Sequence, residues 1–314
     1  MELKRLIQAV AVALAGLILT NQAVRWVWRN AAPRQVVTRL EAPRQLKTLV
    51  IGNSVVQDGF NPAAFDQARP DLAPSENLGL GWTTPIQHAA ILTAALRRHP
   101  ETRTVLYPFF GHQLGIHTND NWKGLAGNFT VSYYVAPEVS ARHYAPDSWV
   151  APAFFTAASR VALFTDRYLY WAKIEKLRRT FSSIGHAPAT PLAEGSGFGQ
   201  LMISDEDAFA NVTRDWTSRD NLLSPPVRDM IRLAREKRIR LVVVEMPLPS
   251  KMNRRYQTSA WLEYRRKISA ELSLSGVEYI VASNGIEDRH FGDELHLGPA
   301  GAVIFSKQIA GQLP

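Results

Sequence analysis

The stretch Leu46-Lys47-Thr48-Leu49-Val50-Ile51-Gly52-Asn53-Ser54 decides the fold, because an apolar run ends abruptly there in small and polar residues. A short apolar run that is bounded by turn residues is typical of a strand buried on both faces. Ser54 follows this strand almost directly. The sequence therefore predicts a strand over residues 46–51, with Ser54 at its carboxyl end, where side chains emerge from a parallel sheet.

Strands and helices alternate along most of the remaining chain. A helix is predicted over residues 85–98, after the capping pair Thr83-Thr84, and an amphipathic helix over residues 299–312. This alternation favours an α/β fold with a three-layer, doubly wound parallel sheet. The other predicted elements are strands at Thr104–Tyr107, Ile239–Glu245 and Val277–Val281, and helices at Ala157–Arg179, Val227–Lys237 and Trp261–Leu272.

The N-terminal segment has the composition of a membrane span. Lys4 and Arg5 precede an apolar stretch over residues 6–19, which continues less purely to Trp28. About 20 such residues cross a bilayer. Residues 21–23 form a poor cleavage site, so an uncleaved anchor is favoured over a signal peptide, and a buried core helix is the third possibility.

The predicted organisation follows from these elements. Residues 1–28 form a membrane anchor or signal segment, and residues 29–45 form a linker. Residues 46–314 form the α/β domain, which an aromatic-rich insertion at about residues 111–222 interrupts. With such an anchor, we expect the domain to lie in the periplasm or another extracytoplasmic space.

Composition excludes several classes of chemistry. The chain has 314 residues and no cysteine, which removes disulfides, thiolate catalysis and cysteine-based zinc sites. Its 36 Lys and Arg against 28 Asp and Glu give a net charge of +8, but these residues are scattered, so no nucleic-acid partner is predicted. His112 and His117, with Asp120 nearby, are more typical of exposed loop histidines than of metal ligands, so no metal or cofactor is predicted.

Three residues could together perform nucleophilic serine catalysis. Such chemistry needs an exposed hydroxyl, a histidine that takes its proton and a carboxylate that orients the histidine. Ser54 could supply the hydroxyl, although a serine in this position is more often a helix cap. Asp293 and His296, three residues apart before the last helix, could supply the other two groups. Taken alone, they also fit a loop aspartate and a helix-capping histidine.

Taken together, the two ends of the domain resemble the SGNH (GDSL) hydrolase superfamily. Gly52-Asn53-Ser54 is similar to its first block, and Asp293-Glu294-Leu295-His296 to its last. Position 56 is not glycine, so the Gly-x-Ser-x-Gly elbow of the α/β-hydrolases is not satisfied. The resemblance implies that Ser54, His296 and Asp293 are catalytic.

The resemblance also implies an oxyanion and substrate site. Asn77-Leu-Gly-Leu-Gly-Trp-Thr-Thr84 resembles the family's glycine block, with Gly81 as the expected backbone donor and Gly79 as the alternative. The family's Gly-x-Asn-Asp block appears only as Gly111-His112-Gln113, so Gln113 replaces the asparagine or that donor is missing. Asn53 completes the expected binding residues.

By the same resemblance, the function expected is serine-dependent ester hydrolysis or O-acyl transfer, such as O-acetylation, on a cell-envelope or exported polysaccharide. The expected partners are the membrane, that substrate and a multi-pass membrane acyltransferase. The alternative is an inactive scaffold or carbohydrate-binding subunit of an acylation or export complex. The insertion's aromatic residues fit either sugar stacking or core packing: Trp122, Phe129, Tyr133, Tyr134, Tyr144 and Trp149.

Overall fold

A five-stranded parallel sheet forms the centre of the molecule, in the order β2-β1-β3-β4-β5. The computed structural model describes residues 2–116, 130–167, 169–171, 173–174, 206–282 and 285–314. The strands are β1 (Thr48–Val50), β2 (Ser75–Asn77), β3 (Thr104–Phe109), β4 (Arg240–Glu245) and β5 (Glu278–Val281). The predicted α/β fold with a parallel sheet is confirmed.

Helices flank this sheet, and the main hydrophobic core lies between the helices and the sheet. Those before the insertion are α1 (Glu2–Val27), α2 (Ala32–Glu41), α3 (Ser54–Gly59), α4 (Pro62–Ala68) and α5 (Pro85–Arg98). Those of the insertion are α6 (Val131–Tyr134), α7 (Pro137–Tyr144), α8 (Ala151–Ser159), α9 (Ala162–Thr165) and α10 (Glu206–Thr217). The last four are α11 (Pro225–Glu236), α12 (Ser250–Asn253), α13 (Ser259–Leu274) and α14 (Pro299–Gln312). Short 3₁₀ turns occupy Gln113–Gly115, Arg254–Gln257 and Asp288–His290.

The predicted linker at residues 29–45 is wrong, because it contains helix α2. Val36 and Leu40 on this helix are fully buried in the main core. Their i, i+4 spacing places both on one helix face. Pro33 lies in the first turn of α2, where proline is tolerated.

The helix predicted from Ala157 to Arg179 is helical over most of its described residues, but it is interrupted at residues 160–161. Helix α8 ends at Ser159, Val161 is extended, and α9 begins a new turn at Ala162. The N–H of Ala162 donates to the side chain of Asn21 on α1, so a distant residue caps the new helix. Residues 175–179 lie outside the described residues.

Strand β2 has no apolar signal in the sequence. It consists of Ser75, Glu76 and Asn77, all three buried. The structure compensates for their polarity, because Arg44 pairs with Glu76 and the backbone N–H of Ser75 donates to Asp66. Polar partners from other segments therefore allow a strand that hydrophobic periodicity does not reveal.

The strand order creates a crevice at the carboxyl edge of the sheet. β1 lies between β2 and β3, so the chain moves to one side after β1 and to the other after β2. Ligands of open α/β sheets bind at such a topological switch point. The segment that follows β1 begins at Ile51 and leads directly to Ser54.

Candidate active site

Ser54 begins helix α3 immediately after the loop that leaves β1. The side chain of Asn53 caps this helix by accepting a hydrogen bond from the N–H of Val55 at 3.1 Å. Asn53 thus performs the capping that was the ordinary alternative for Ser54. The Ser54 hydroxyl points instead to a partner from the other end of the chain.

Gly52 lets the chain turn closely beneath the helix. A Cβ atom at this position would lie 2.3 Å from Cγ2 of Val56 and 3.3 Å from the carbonyl oxygen of Pro108. The first distance is far shorter than a real contact, so any side chain here would displace α3 from the sheet. Glycine at position 52 is therefore required to hold Ser54 at the sheet edge.

Asp293 and His296 lie in a tight loop before α14. The loop is closed by a hydrogen bond from the N–H of Gly292 to the carbonyl oxygen of His296 at 2.8 Å. Oδ1 of Asp293 accepts from the backbone N–H of Leu295 at 2.8 Å and of His296 at 2.7 Å. Because these bonds orient the carboxylate before it meets the imidazole, the loop is preorganised.

Packing of α14 against α3 and α4 brings the two ends of the domain together. Leu297, directly after His296, is buried and packs near Gly59 at the end of α3. The N–H of Asn61 donates to the hydroxyl of Ser306 on α14 at 2.8 Å. These contacts hold residues separated by more than two hundred positions in one pocket.

The result is a hydrogen-bonded row of three groups: the Asp293 carboxylate, the His296 imidazole and the Ser54 hydroxyl. Nδ1 of His296 lies 2.8 Å from Oδ2 and 3.0 Å from Oδ1 of Asp293, and its Nε2 lies 2.8 Å from Oγ of Ser54. The His296 side chain is 26% exposed and that of Asp293 57% exposed. The row is therefore open to solvent and to a substrate.

The pKa of Asp293 lies below its ordinary value. Partial desolvation raises the pKa, but the backbone N–H groups of His296 and Leu295 and the contact with the His296 ring outweigh that effect. The carboxylate is thus ionised at neutral pH. An ionised carboxylate at Nδ1 favours the tautomer that leaves Nε2 able to accept the Ser54 proton.

The two glycines expected as oxyanion donors lie beside the serine loop, but side chains occupy their N–H groups. The N–H of Leu80 donates to the carbonyl oxygen of Gly52, so the two segments run side by side. The N–H of Gly79 donates to Oδ1 of Asn77 at 2.9 Å, and that of Gly81 to Oε1 of Gln57 at 2.8 Å. The hydrogen bond of Gly79 to Asn77 shapes the loop. A substrate that accepts a hydrogen bond from the N–H of Gly81 must displace the Gln57 side chain.

Asn53 and Gln113, the other two expected binding residues, form a buried polar pair. Nδ2 of Asn53 donates to Oε1 of Gln113 at 3.1 Å. Asn53 is fully buried and Gln113 only 2% exposed. In this arrangement their amides hold the serine loop against β3.

Sequence reasoning missed Gln57 and Asn77. Asn77 donates to the carbonyl oxygens of Val56 and Phe60, each at 2.9 Å, and so fastens β2 to helix α3. Gln57 is one helical turn after Ser54, a spacing that could have indicated a position on the same face. For Asn77 the sequence offers no comparable signal, because its role depends on the pairing of β1 with β2.

Trp82 is a further surface residue beside the expected oxyanion donor. It is 44% exposed and has a φ of 58°, in the left-handed region that a tryptophan rarely adopts. Residues held in such conformations cluster at functional sites. Trp82 directly follows Gly81 in the chain.

The prediction that His112 is an exposed loop histidine is wrong, because His112 is a core residue that is only 1% exposed. Its ring stacks on Trp216 with a centroid separation of 5.5 Å, and its Nε2 lies 3.1 Å from the hydroxyl of Thr213. Burial lowers the pKa of His112 to about 3. His117 and Asp120 lie outside the described residues, and so do Trp122 and Phe129.

No protein-family model matches this chain, and no curated protein matches it. Solved structures similar to it include a "putative acylhydrolase" from Bacteroides fragilis, with 10% identity and a TM-score of 0.38, covering 89% of this chain and 93% of that one. A "GDSL-like lipase" from Bacteroides thetaiotaomicron has 10% identity and a TM-score of 0.37, covering 90% and 97%. A "putative platelet activating factor" from "Streptococcus pneumonia" has 11% identity and a TM-score of 0.34, covering 98% and 99%.

Likenesses at these TM-scores carry no argument by themselves. What the fold and the site define is an α/β protein with a parallel sheet and a solvent-accessible row of Asp293, His296 and Ser54 at its carboxyl edge.

Proposed function

We propose that this chain is an SGNH-type serine enzyme that acts on acyl esters, with Ser54 as nucleophile. The observation that carries the proposal is the hydrogen bond of 2.8 Å between the Ser54 hydroxyl and His296, whose other ring nitrogen lies 2.8 Å from Asp293. Nucleophile, base and orienting carboxylate at these distances are the geometric signature of nucleophilic serine catalysis.

The reaction follows from this row. His296 takes the proton of Ser54 as its oxygen attacks the acyl carbonyl, and the resulting imidazolium is stabilised by Asp293. Collapse of the tetrahedral intermediate expels the alcohol, which receives that proton, and leaves the acyl group on Ser54. A second acceptor then attacks in the same way: water completes hydrolysis, whereas a sugar hydroxyl completes O-acyl transfer.

Oxyanion stabilisation would come from backbone donors of the serine loop. The N–H of Ser54 lies in the first turn of α3, where N–H groups have no partner within the helix. The N–H of Gly81 becomes a second donor when Gln57 moves away from it. Each such donor contributes about 3 kcal/mol to transition-state stabilisation.

An acyl ester of a cell-envelope or exported polysaccharide is the substrate class that we propose. Helix α1 is long and apolar enough to cross a membrane, although signal sequences share this property. An anchored domain with its crevice in an extracytoplasmic space would meet such polymers, and the exposed ring of Trp82 offers a surface on which a sugar can stack. A multi-pass membrane acyltransferase would supply acyl groups in the transfer reaction.

The test uses the full chain in detergent with p-nitrophenyl acetate, with and without an acetylated or unmodified oligosaccharide. Wild type is compared with Ser54→Ala and with Ser273→Ala, a matched change at an exposed serine near the end of α13. We expect only Ser54→Ala to abolish turnover and labelling by a fluorophosphonate. Equal rates in all three proteins would exclude the enzyme and favour a scaffold or carbohydrate-binding subunit.

A further inference from the structure

Helix α1 has two parts that differ in their surroundings. From Leu3 to Leu19 its side chains are exposed, with Leu14 at 54% and Leu19 at 70%, whereas Val24 is only 6% exposed. These 17 residues are about 26 Å long at 1.5 Å per residue, close to the thickness of the hydrocarbon core. If α1 crosses a bilayer, the membrane surface lies near Asn21.

Near Asn21, hydrogen bonds join the C-terminal end of α1 to the insertion. Nδ2 of Asn21 donates to the carbonyl oxygen of Arg160 at 3.2 Å, and Nη2 of Arg25 donates to the same oxygen at 3.1 Å. Trp28 contacts Tyr170 edge to face, with ring centroids 5.1 Å apart. The α8–α9 junction is therefore placed where α1 would leave the bilayer.

The insertion exposes large apolar side chains around that junction. Among the described residues, most exposed large hydrophobic side chains outside α1 lie between positions 149 and 174. We call six of them the insertion patch: Trp149 (91% exposed), Val150 (48%), Phe154 (52%), Leu163 (38%), Trp171 (58%) and Ile174 (57%). Exposed apolar clusters of this kind mark protein or membrane contacts.

Contacts connect the insertion patch to α1. Leu163 lies on α9, whose first N–H donates to Asn21. Phe154 on α8 meets Phe164 on α9 edge to face, with ring centroids 5.5 Å apart. Trp171 directly follows Tyr170, which contacts Trp28. Part of the patch therefore lies beside α1, at the point where the helix becomes docked.

Cationic side chains accompany this surface, as expected for an interface with anionic headgroups. The Arg29 guanidinium lies 4.4 Å from the ring centroid of Trp26, and the Lys173 ammonium lies 5.7 Å from that of Trp28. Arg160 is also exposed. Tryptophan beside lysine and arginine is typical of side chains that anchor a protein at the headgroup level.

We propose that the insertion patch inserts into the headgroup region of the same bilayer that α1 crosses. The chain then contacts the membrane twice, through a span and through α8, α9 and the residues around them. Two contacts restrain rotation of the domain about α1. This inference requires α1 to span the bilayer but is independent of the chemistry at Ser54.

The absence of cysteine allows a direct test with single-cysteine variants of the full chain. Trp149→Cys and Phe154→Cys probe the patch, and Leu14→Cys probes α1. Leu274→Cys is a matched control, because Leu274 is 90% exposed, like Trp149, but lies at the end of α13. Each variant is labelled with an environment-sensitive fluorophore and reconstituted in phosphatidylcholine–phosphatidylglycerol vesicles carrying lipid-attached nitroxides.

We expect shallow nitroxides to quench the labels at 149 and 154, deep nitroxides to quench the label at 14, and neither to quench the label at 274. The proposal would be overturned if the label at 14 is quenched but the labels at 149 and 154 lose no more emission than the label at 274. An unquenched label at 14 would overturn it as well, since α1 would not span. If the emission of the label at 149 indicates an apolar environment that depends on protein concentration, and the nitroxides do not quench it, the patch contacts a second copy of the chain and the proposal is overturned.

Discussion

His296 and His88 are each held at both ring nitrogens, yet their surroundings differ. His296 lies in a partly exposed loop between Asp293 and the hydroxyl of Ser54. His88 is fully buried in α5, with Nδ1 2.9 Å from the Tyr107 hydroxyl and Nε2 2.9 Å from the Thr83 hydroxyl.

The difference lies in charge and water. Burial lowers the pKa of His88 to about 3, so its ring stays neutral and serves as a structural connector between α5 and β3. His296 has instead an ionised carboxylate that can stabilise an imidazolium. Hydrogen-bond partners alone therefore do not qualify a histidine as a general base, and the role proposed for His296 also depends on its carboxylate partner and its access to solvent.

Replacing each histidine by glutamine tests this contrast most strongly. We expect His296→Gln to lower kcat for an activated ester by about 10⁶-fold, because the row loses its base, which is about the loss seen when the triad histidine is removed from a serine protease. Its thermal midpoint should stay close to that of wild type, because the side chain is partly exposed. A variant with near-normal kcat would remove His296 from the mechanism.

Asp293→Asn should have the next largest effect. The amide can still bond to the loop, but it no longer favours the tautomer that accepts the Ser54 proton, and we expect kcat to fall by about 10⁴-fold. Steady-state kinetics measure the loss. Glu294→Gln, a neighbouring exposed carboxylate paired with Lys251, is the control and should retain activity.

His88→Gln should act on stability. The loss of two buried hydrogen bonds is expected to lower the free energy of unfolding by about 1–3 kcal/mol, measured by chemical denaturation at pH 7. The kcat of the remaining folded protein should change far less than in His296→Gln. If kcat fell as steeply as it does there, His88 would belong to the catalytic machinery.

The buried histidines also predict how stability depends on pH. His88 and His112 have pKa values of about 3 in the folded chain, below the ordinary 6.5, so the unfolded chain binds more protons between these values. Their contribution to stability is therefore present above pH 6.5 and is lost as the pH falls towards 3, by at most about 1.4 kcal/mol per pH unit for each group. Denaturant midpoints between pH 7 and 4 measure this slope, and His88→Gln should make it shallower.

The smallest expected effect concerns Gln57. Gln57→Ala removes the acceptor that occupies the N–H of Gly81, and kcat/KM should rise about two- to fivefold, the equivalent of a net hydrogen bond of about 0.5–1 kcal/mol. Gln57→Glu keeps an acceptor there and adds a negative charge near the oxyanion, so it should lower kcat/KM. Equal rates in both variants would show that Gly81 does not assist the reaction.

Much of the fold could be predicted where the chain has local periodicity. The apolar runs that become β1, β3, β4 and β5 and the helical spacing of α5, α11, α13 and α14 are visible in the sequence. Strand β2 and helix α2 were not predicted, because Ser75-Glu76-Asn77 depends on Arg44 and Asp66, and α2 is defined by the core against which Val36 and Leu40 pack.

The site shows the same division. The types and positions of Ser54, Asp293 and His296 could be recognised from their neighbours along the chain, and Asp293 reaches His296 through bonds within a single loop. The roles of Gln57, Asn77 and Gln113 could not be recognised, because each acts through a partner on another strand or loop.

By itself, the sequence determined the class of the sheet, the apolar N-terminal helix and the local pairing of Asp293 with His296, since all three depend on neighbours a few residues apart. Only the tertiary structure decided that His296 meets Ser54 and that Gln57 occupies the N–H of Gly81. Those outcomes depend on how α14 packs against α3 and how β2 pairs with β1. Side chains that only packing brings together produce no periodic pattern in the sequence.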